Sequence, residues 1–302
     1  MSEKVIETQG LTVYYGPHRG IVDVDLTVEK GEVFGFLGPN GAGKTTTQRV
    51  LLDIIRPTSG RASMFGLDCR AQGVKARQHV GYLPGELALY DKLKANEFFQ
   101  MYEYLRPENG SKGYWRELAG RLDLNTGRKI REFSRGNKQK VGVVAAFMNR
   151  PDLLILDEPT SGLDPLVQQT VLDMVREARA EGRTVFFSSH ILSEVQDVCD
   201  RVGILRQGRL VATERVRDLM VQRFHRVRMR FAEQPPAGTF DREGVTELAR
   251  DEESVLLEVR EGLPQVMEAA AGFGITDIET QDVSLEDIFL AYYGKGNGGN
   301  NA

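Results

Sequence analysis

The spacing of apolar residues along the chain predicts a sheet flanked by helices. Three short runs are almost continuously apolar, which is typical of parallel strands that are buried on both faces. These runs cover residues 32–37, 153–156 and 184–187. Helical spacing over Pro165–Ala180 separates the second run from the third, and a further helix is expected over 45–55. The apolar face of that further helix consists of Val50, Leu51, Ile54 and Ile55.

The N-terminal region and the middle of the chain have different patterns. Residues 22–28 alternate between apolar and polar side chains, which predicts an antiparallel layer. Residues 92–130 are mainly helical in spacing, so a helical insertion is expected over about 92–140. Its apolar residues at helical spacing are Phe98, Phe99, Met101, Tyr102 and Leu105.

A second domain is expected after about residue 222, where period-two alternation begins again. Strand patterns at 224–231, 254–260 and 275–280 surround a helix near 263–272, which predicts a small α+β domain over 223–295. A final helix is expected after Ser284, and residues 296–302 are expected to form a disordered tail. An appendage that stabilises the fold or a dimer is one interpretation of this domain, and a regulatory domain is the other.

Charge divides the chain at the same position. Residues 1–222 carry a net charge of +3 and residues 223–302 a net charge of −7. The total of −4 gives no basic excess that would indicate nucleic-acid binding. The two cysteines, Cys69 and Cys199, exclude a disulfide scaffold and favour a reducing, cytoplasmic setting. No apolar stretch approaches the ~20 residues of a spanning helix, and no signal peptide is expected, so any work at a membrane requires another chain.

The strongest chemical signal extends from Gly38 to Thr45. It matches G-x-x-x-x-G-K-[ST] in full, between a predicted strand and a predicted helix. The backbone N–H groups of such a loop form a nest for phosphate oxygens, and the helix turns its positive end toward them. Lys44 is expected to bridge the β- and γ-phosphates, and the Thr45 hydroxyl to bind Mg²⁺. The candidate nucleotide-binding residues here are Gly38, Pro39, Asn40, Gly41, Ala42, Gly43, Lys44, Thr45 and Thr46.

Two carboxylates follow the apolar run at 153–156. Asp157 is expected to hold Mg²⁺ directly or through water, and Glu158 to orient the attacking water and accept its proton. Alone, this pair is equally well interpreted as a solvated strand end. With the phosphate-binding loop upstream, it predicts a P-loop NTPase of the α/β class with a mostly parallel central sheet.

These motifs resemble the nucleotide-binding subunit of ATP-binding-cassette (ABC) transporters over about residues 3–220. The signature loop of that family matches Phe133-Ser134-Arg135-Gly136-Asn137, and its D-loop matches Ser161-Gly162-Leu163-Asp164-Pro165. Its switch histidine matches His190, after the run at 184–187. Its adenine-stacking aromatic matches Tyr15, with the neighbouring Tyr14 as the alternative.

The resemblance implies an ATPase with ATP and Mg²⁺ as cofactors and with Glu158 and His190 as catalytic residues. It implies that Ser134 and Gly136 close over a nucleotide held by a second ABC subunit, in a homodimer that ATP drives together. It also implies a separate transmembrane permease as the partner and no binding of nucleic acid. The chain would then lie at the cytoplasmic face of the membrane, held there by the permease. Arg135 and the basic stretch that follows resemble bacterial drug and antibiotic exporters, which implies export of a drug-like or hydrophobic substrate.

One departure from the family leaves an alternative open. Gly85 stands where the family usually has a glutamine that senses Mg²⁺ and the attacking water, and Glu86 or water would have to substitute. Because Gly85 contributes only backbone, we expect a change to glutamine to be tolerated. The alternative function is a non-transport or weakly hydrolysing ABC-type regulatory ATPase. A ribosome-acting ABC protein is disfavoured, since it would normally carry two cassettes and this chain has one P-loop.

Overall fold

The structure, a computed structural model, describes residues 3–106, 112–221, 225–259 and 261–281. The chain divides into two units, Met1–Arg215 and Val216–Ala302. The sequence places the domain boundary at about residue 222, whereas the structure assigns the preceding helix, Val216–Val221, to the second unit. None of the helices in the described ranges is both long and apolar enough to cross a membrane.

The first unit contains two sheets and a set of helices. Its strands are β1 (Lys4–Tyr15), β2 (His18–Glu29), β3 (Val33–Leu37), β4 (Ser59–Met64), β5 (Leu67–Asp68), β6 (Val80–Leu83), β7 (Leu153–Asp157), β8 (Thr184–Ser189), β9 (Arg201–Arg206) and β10 (Arg209–Arg215). Its helices are α1 (Lys44–Leu51), α2 (Gly73–Arg77), α3 (Ala95–Leu105), α4 (Tyr114–Arg121), α5 (Arg135–Phe147), α6 (Pro165–Ala180) and α7 (Leu192–Val198).

The central sheet has six strands in the order β10-β9-β3-β8-β7-β6. Neighbouring strands from β9 to β6 run parallel, and β10 is antiparallel to β9. Every residue of β3, β7 and β8 is buried, as their continuous apolar runs predict. Phe186 of β8 packs between Phe34 and Phe36 of β3, with ring centroids 6.0 and 5.2 Å away. Burying one such side chain contributes about 1.5–3 kcal/mol.

Helix α6 shows how local sequence sets an element boundary. The Asp164 side chain caps the helix by accepting a hydrogen bond from the Val167 N–H at 3.1 Å. Pro165 occupies the first helical position, where its missing N–H has no intrahelical partner to lose. The helix therefore extends over Pro165–Ala180, as its spacing predicts.

The N-terminal layer is a four-stranded antiparallel sheet in the order β2-β1-β4-β5. The alternation expected at 22–28 is correct from Val24 onward, but Val22 is only half-buried, while Ile21 is buried. The cause is Asp23, whose left-handed backbone (φ 54°) interrupts the register between β1 and β2. An irregularity of one residue moves the next side chain to the opposite face of the sheet.

Helix α1 is shorter than the pattern predicts. It ends at Leu51, and the chain then turns through Asp53, which has a φ of 58°. Val50 and Leu51 are buried as expected, but Ile54 lies beyond the helix and is 57% exposed. The prediction that Ile54 lies on the same helical face as Val50 was therefore wrong, because it assumed a helix that continues to residue 55.

The helical insertion expected at about 92–140 contains α3 and α4, and α5 begins within it but continues to Phe147. Phe98 and Phe99 of α3 are buried, and the Phe99 ring packs on Trp115 of α4 at 5.4 Å. Tyr102 and Leu105, which the pattern grouped with them, are exposed. Only the side of α3 that faces α4 and α5 is covered, so the helix buries a narrower stripe than its apolar residues indicate.

The second unit forms its own small α+β fold, which confirms the expected class. Its elements are α8 (Val216–Val221), β11 (His225–Phe231), β12 (Val245–Arg250), β13 (Ser254–Val259), α9 (Leu263–Ala271) and β14 (Ile275–Gln281). The sheet order is β12-β13-β11-β14, and its core includes Met229, Leu257 and Val266. The sequence missed β12, an edge strand with exposed residues at its centre. The expected helix after Ser284 and the expected tail at 296–302 lie outside the described residues.

Two glycines provide a matched test of this packing. A β-carbon at Gly81 of β6 would lie 2.2 Å from the backbone oxygen of Ala146, whereas one at Gly120 of α4 would meet nothing within 4 Å. We expect Gly81→Ala to lower the free energy of unfolding by about 2 kcal/mol or more, since the backbone of α5 must move. Gly120→Ala should raise it by about 0.5–1 kcal/mol. Chemical denaturation of both variants measures the two changes, and equal stability would show that α5 does not pack on β6 as described.

Candidate functional site

The phosphate-binding loop lies at the carboxyl end of β3, immediately before α1. Two of its glycines stand where a side chain would not fit. Gly43 has a left-handed backbone with a φ of 112°, and a β-carbon there would lie 2.5 Å from Ile21 Cγ2. A β-carbon at Gly38 would lie 2.6 Å from the backbone oxygen of Leu205. The loop is therefore held against β2 and β9, and the N-terminus of α1 faces the space beside it, as anion binding requires.

A cavity of about 480 Å³ opens beside this loop. The sequence-predicted residues that line it are Tyr15, Pro39, Asn40, Gly41, Gly43, Lys44, Thr45, Thr46, Asp157 and Glu158. Gly38 and Ala42 support the loop from behind: the Gly38 oxygen accepts from Lys44, and Ala42 is buried. The cavity therefore joins the two motifs that the sequence separates by more than a hundred residues.

One end of the cavity carries oxygen ligands suited to a hard cation. The Thr45 hydroxyl donates to Asp157 Oδ2 at 2.8 Å, and the Ser188 hydroxyl donates to Oδ1 at 2.5 Å. Asp157 is only 2% exposed. No group of three or more His, Cys, Asp or Glu side chains in the described part of the chain is arranged to hold a metal. A hydroxyl and one carboxylate instead fit Mg²⁺, which takes its other oxygens from phosphates and water.

Glu158 lies between a lysine and a histidine. Its Oε1 is 3.5 Å from Lys44 Nζ, and its Oε2 is 2.7 Å from His190 Nδ1. Oε1 is buried and makes no hydrogen bond to any described residue, so the lysine contact is an ion pair without hydrogen-bond geometry. Lys44 directs its ammonium to the Gly38 carbonyl at 2.6 Å.

The backbone at Glu158 is strained, which sets the direction of its side chain. Its φ is 51°, a left-handed conformation that costs about 1 kcal/mol or more for a side chain of this size. Two hydrogen bonds hold it there: its N–H donates to the Ser188 oxygen at 3.0 Å, and its oxygen accepts from the Gln139 amide at 3.2 Å. Strain held by surrounding contacts is typical of functional positions.

Tyr15, and not Tyr14, lines the other end of the cavity. Both tyrosines are 46% exposed, so exposure alone does not separate them. The Tyr15 hydroxyl lies 3.3 Å from the Thr46 hydroxyl, which places the ring beside the start of α1. An exposed ring at this position is available to stack on a base.

The signature residues lie apart from this cavity. The Ser134 side chain caps α5 by accepting from the Asn137 N–H at 3.3 Å. A β-carbon at Gly136 would lie 2.8 Å from the Gly162 oxygen, so the signature and D-loop segments touch. Neither Ser134 nor Gly136 lines the cavity, and a single chain does not bring them to Lys44.

Several lining residues had no motif that would have identified them. They include Arg19, Arg49 and Tyr82; Glu86, which the sequence offered as a substitute for the glutamine, lines the cavity as well. Burial, and then the charge of Asp157, raises the pKa of Tyr82 to about 12, so its phenol stays neutral. Only their position on neighbouring elements brings these residues to the cavity.

Gly85 has a steric role that the sequence did not indicate. A β-carbon at this position would lie 3.1 Å from Asp157 Oδ2, closer than ordinary van der Waals contact. Because Thr45 and Ser188 already fix both carboxylate oxygens, Asp157 has little freedom to move away. A glutamine at this position would press on the candidate metal ligand, so the expected tolerance of this change requires Asp157 to move by a few tenths of an ångström.

Comparisons with known proteins give the family. The family model described as "ABC transporter" matches residues 21–161. The linearmycin resistance ATP-binding protein LnrL of Bacillus subtilis is 35% identical over 220 residues, which are 71% of this chain and 70% of that protein. The chain belongs to the ABC transporter ATP-binding family.

Two further matches show how far the likeness extends. The uncharacterized ABC transporter ATP-binding protein all4389 of Nostoc sp. is 38% identical over 226 residues, which are 73% of this chain but 63% of that protein. A solved ATP-binding subunit of an ABC transporter has 30% identity and a TM-score of 0.66, and covers 72% of this chain and 92% of its own. This ABC cassette chain therefore spans less than two thirds of the Nostoc relative.

The lysine of the cassette gives a direct test of the site. Lys44→Ala should weaken Mg-ATP binding on the order of 10- to 100-fold, because a charge-assisted hydrogen bond contributes ~1.5–3 kcal/mol. The matched control is Lys30→Ala, which removes an exposed lysine paired with Glu3 at 2.8 Å. Isothermal titration of both variants checks the effect. Wild-type affinity in Lys44→Ala would mean that the nucleotide binds elsewhere.

Proposed function

We propose that this chain is the ATP-hydrolysing subunit of an ABC transporter and powers a separate transmembrane permease. The observations that carry the proposal are the hydrogen bond between Thr45 and Asp157 and the contacts of Glu158 with Lys44 and His190. A phosphate nest, oxygen ligands for a cation and a candidate base lie along one cavity. This set of groups is suited to phosphoryl transfer to water.

ATP would bind along the cavity from Tyr15 to Glu158. Tyr15 would stack on the base, Thr46 would contact the phosphates near it, and the loop from Gly38 to Thr45 would enclose the β- and γ-phosphates. Lys44 would exchange its ion pair with Glu158 for a phosphate oxygen. Such an exchange would free the Glu158 carboxylate for the attacking water.

Thr45 and Asp157 would hold Mg²⁺, which neutralises charge on the phosphate oxygens. Glu158 would accept the proton from the attacking water as general base. His190 Nδ1–H, donated to Oε2 of that carboxylate, would fix its orientation. The strained backbone of Glu158 supports this assignment, since it directs the carboxylate into the cavity.

A second copy of the chain would complete each site. Ser134 and Gly136 do not line their own cavity, although they belong to the signature segment that the family uses to contact ATP. In a homodimer bridged by two nucleotides, they would close over the ATP held by the partner subunit, and Asp164 would contact the partner. Nucleotide that binds only the closed dimer stabilises it by mass action.

We propose that the transporter exports its substrate and that the substrate is drug-like or hydrophobic. The similarity to the linearmycin resistance protein supports it, as does Arg135 in the signature segment. The chain would be peripheral, bound to the cytoplasmic face of the membrane through its permease. Expression with the permease of a neighbouring gene, followed by co-purification and a drug-efflux assay, tests this part.

A weakly hydrolysing regulatory ATPase is the second candidate, because Gly85 lacks the usual glutamine side chain.

Dimerisation should depend on nucleotide. We expect Glu158→Gln, which keeps the shape of the side chain but not its basicity, to accumulate as a dimer with Mg-ATP and to stay a monomer without it. Light scattering after gel filtration measures the change. Adding Lys44→Ala to Glu158→Gln should abolish the dimer, and a monomer of Glu158→Gln under both conditions would contradict the proposed assembly.

Hydrolysis should require both members of the glutamate–histidine pair. Glu158→Gln and His190→Ala should each lower turnover by about 10²-fold or more, the scale expected for loss of a general base or of its orientation. The matched control is His79→Ala, since His79 also pairs with a carboxylate (Asp152, 2.8 Å), but that carboxylate does not line the cavity, whereas Glu158 does. Steady-state phosphate release compares the variants. An active Glu158→Gln would show that another group is the base, Glu86 being the first to test.

A further inference from the structure

A buried carboxylate lies behind the pair formed by Glu158 and His190. Glu194 of α7 is 6% exposed and accepts a hydrogen bond from the Ser189 hydroxyl at 2.9 Å on Oε2. Its other oxygen, Oε1, is buried without a hydrogen bond to any described residue. Burying a carboxylate with an unpaired oxygen opposes folding, because the charged form loses its hydration.

The hydrogen bonds of Ser189 tie this carboxylate to both sides of His190. The Ser189 hydroxyl also accepts from the Ile191 N–H at 2.9 Å. One hydroxyl therefore connects the residue before His190, the residue after it and Glu194. The turn that carries the histidine is closed by this short chain of hydrogen bonds.

The same carboxylate faces the segment that follows Glu158. Thr160 is 1% exposed, and its hydroxyl interacts with the Glu194 carboxyl. Glu194 thus interacts with the segment that carries Glu158 and with the turn that carries His190. The side chains of Glu158 and His190 themselves meet at 2.7 Å.

The pKa of Glu194 reflects its position between the Glu158 segment and the His190 turn. Burial raises the pKa of Glu194 above its usual range, and the hydroxyls of Thr160 and Ser189 partly offset that shift by favouring the charged form. The charge of Glu158 acts in the raising direction and that of His190 in the lowering direction. Cys199, at the end of α7, is a neutral thiol whose pKa is raised mainly by burial.

We propose that Glu194 is a positioning residue for ATP hydrolysis, which holds the segment carrying Glu158 and the turn carrying His190 at a fixed separation. It does not line the cavity, so it acts through these two residues and not on the nucleotide. The inference rests on the proposed ATPase function. It gives a role to a buried carboxylate that the motifs of the chain leave unused.

The kinetic test separates positioning from binding. Glu194→Ala should lower kcat by about 10-fold or more, while ATP affinity changes by less than about 2-fold, because the contacts of Lys44 and Thr45 are untouched. Glu194→Gln retains an oxygen that accepts from Ser189, so its kcat should return to within about 3-fold of wild type. If the alanine variant does not fold, Ser189→Ala removes the same hydrogen bond and should show the same loss confined to kcat.

The control removes a buried carboxylate elsewhere. Glu32 is 8% exposed, has its pKa raised by burial and bonds to Arg201 at 3.0 Å, but lies before β3 at the end away from the cavity. Glu32→Ala should lower stability and leave the kcat of the folded protein unchanged. A loss of kcat in Glu32→Ala equal to that in Glu194→Ala would overturn the proposal, since it would show a general effect of instability. A Glu194→Gln variant as inactive as Glu194→Ala would also overturn it.

A spectroscopic measurement tests the geometry without turnover. In Glu194→Ala, the ring ¹⁵N resonances of His190 should move away from their hydrogen-bonded values, while those of His79 stay in place. Unchanged His190 resonances, or wild-type kcat in both Glu194→Ala and Ser189→Ala, would refute the inference. A wild-type chain that hydrolyses no ATP would instead refute the proposed function, and the resonances would still report on Glu194.

Discussion

The site depends on one constraint, that the carboxyl ends of adjacent parallel strands meet at the same edge of a sheet. Strands β3, β8 and β7 are neighbours in the central sheet. The phosphate loop follows the first, His190 follows the second, and Asp157 ends the third. The hydrogen bonds from Thr45 and Ser188 to Asp157 join all three strand ends. A change of strand order would separate these groups, however well each local motif was preserved.

Burial of charge is the cost of this arrangement. Lys44 and Asp157 are 6% and 2% exposed, and charges so far from water are tolerated only when other groups compensate them. Lys44 has the Gly38 oxygen and Glu158, while Asp157 has two hydroxyls. The same contacts therefore stabilise the folded chain and arrange the groups that the proposed chemistry needs, which couples the stability of this region to its function.

The signature segment is organised by a different principle. It begins a helix and packs against the D-loop, and its Ser134 and Gly136 do not line the cavity of their own chain. The proposed contacts of Ser134 and Gly136 with ATP thus require a second subunit. The second unit of the chain has its own core, which includes Met229, Leu257 and Val266 and contains no residue of the signature segment.

Elements with local signals could be predicted directly from the sequence. Continuous apolar runs predicted β3, β7 and β8, helical spacing predicted α6, and the glycine spacing predicted the phosphate loop. Periodicity failed where burial depended on distant neighbours: α1 stopped before Ile54, and edge strand β12 had no apolar signal. Tertiary structure alone brought Tyr82 to the cavity, crowded Gly85 against Asp157 and placed Glu194 behind Glu158. The physical reason is that a pattern records how one segment meets solvent, whereas a contact between segments is decided by strand order and packing.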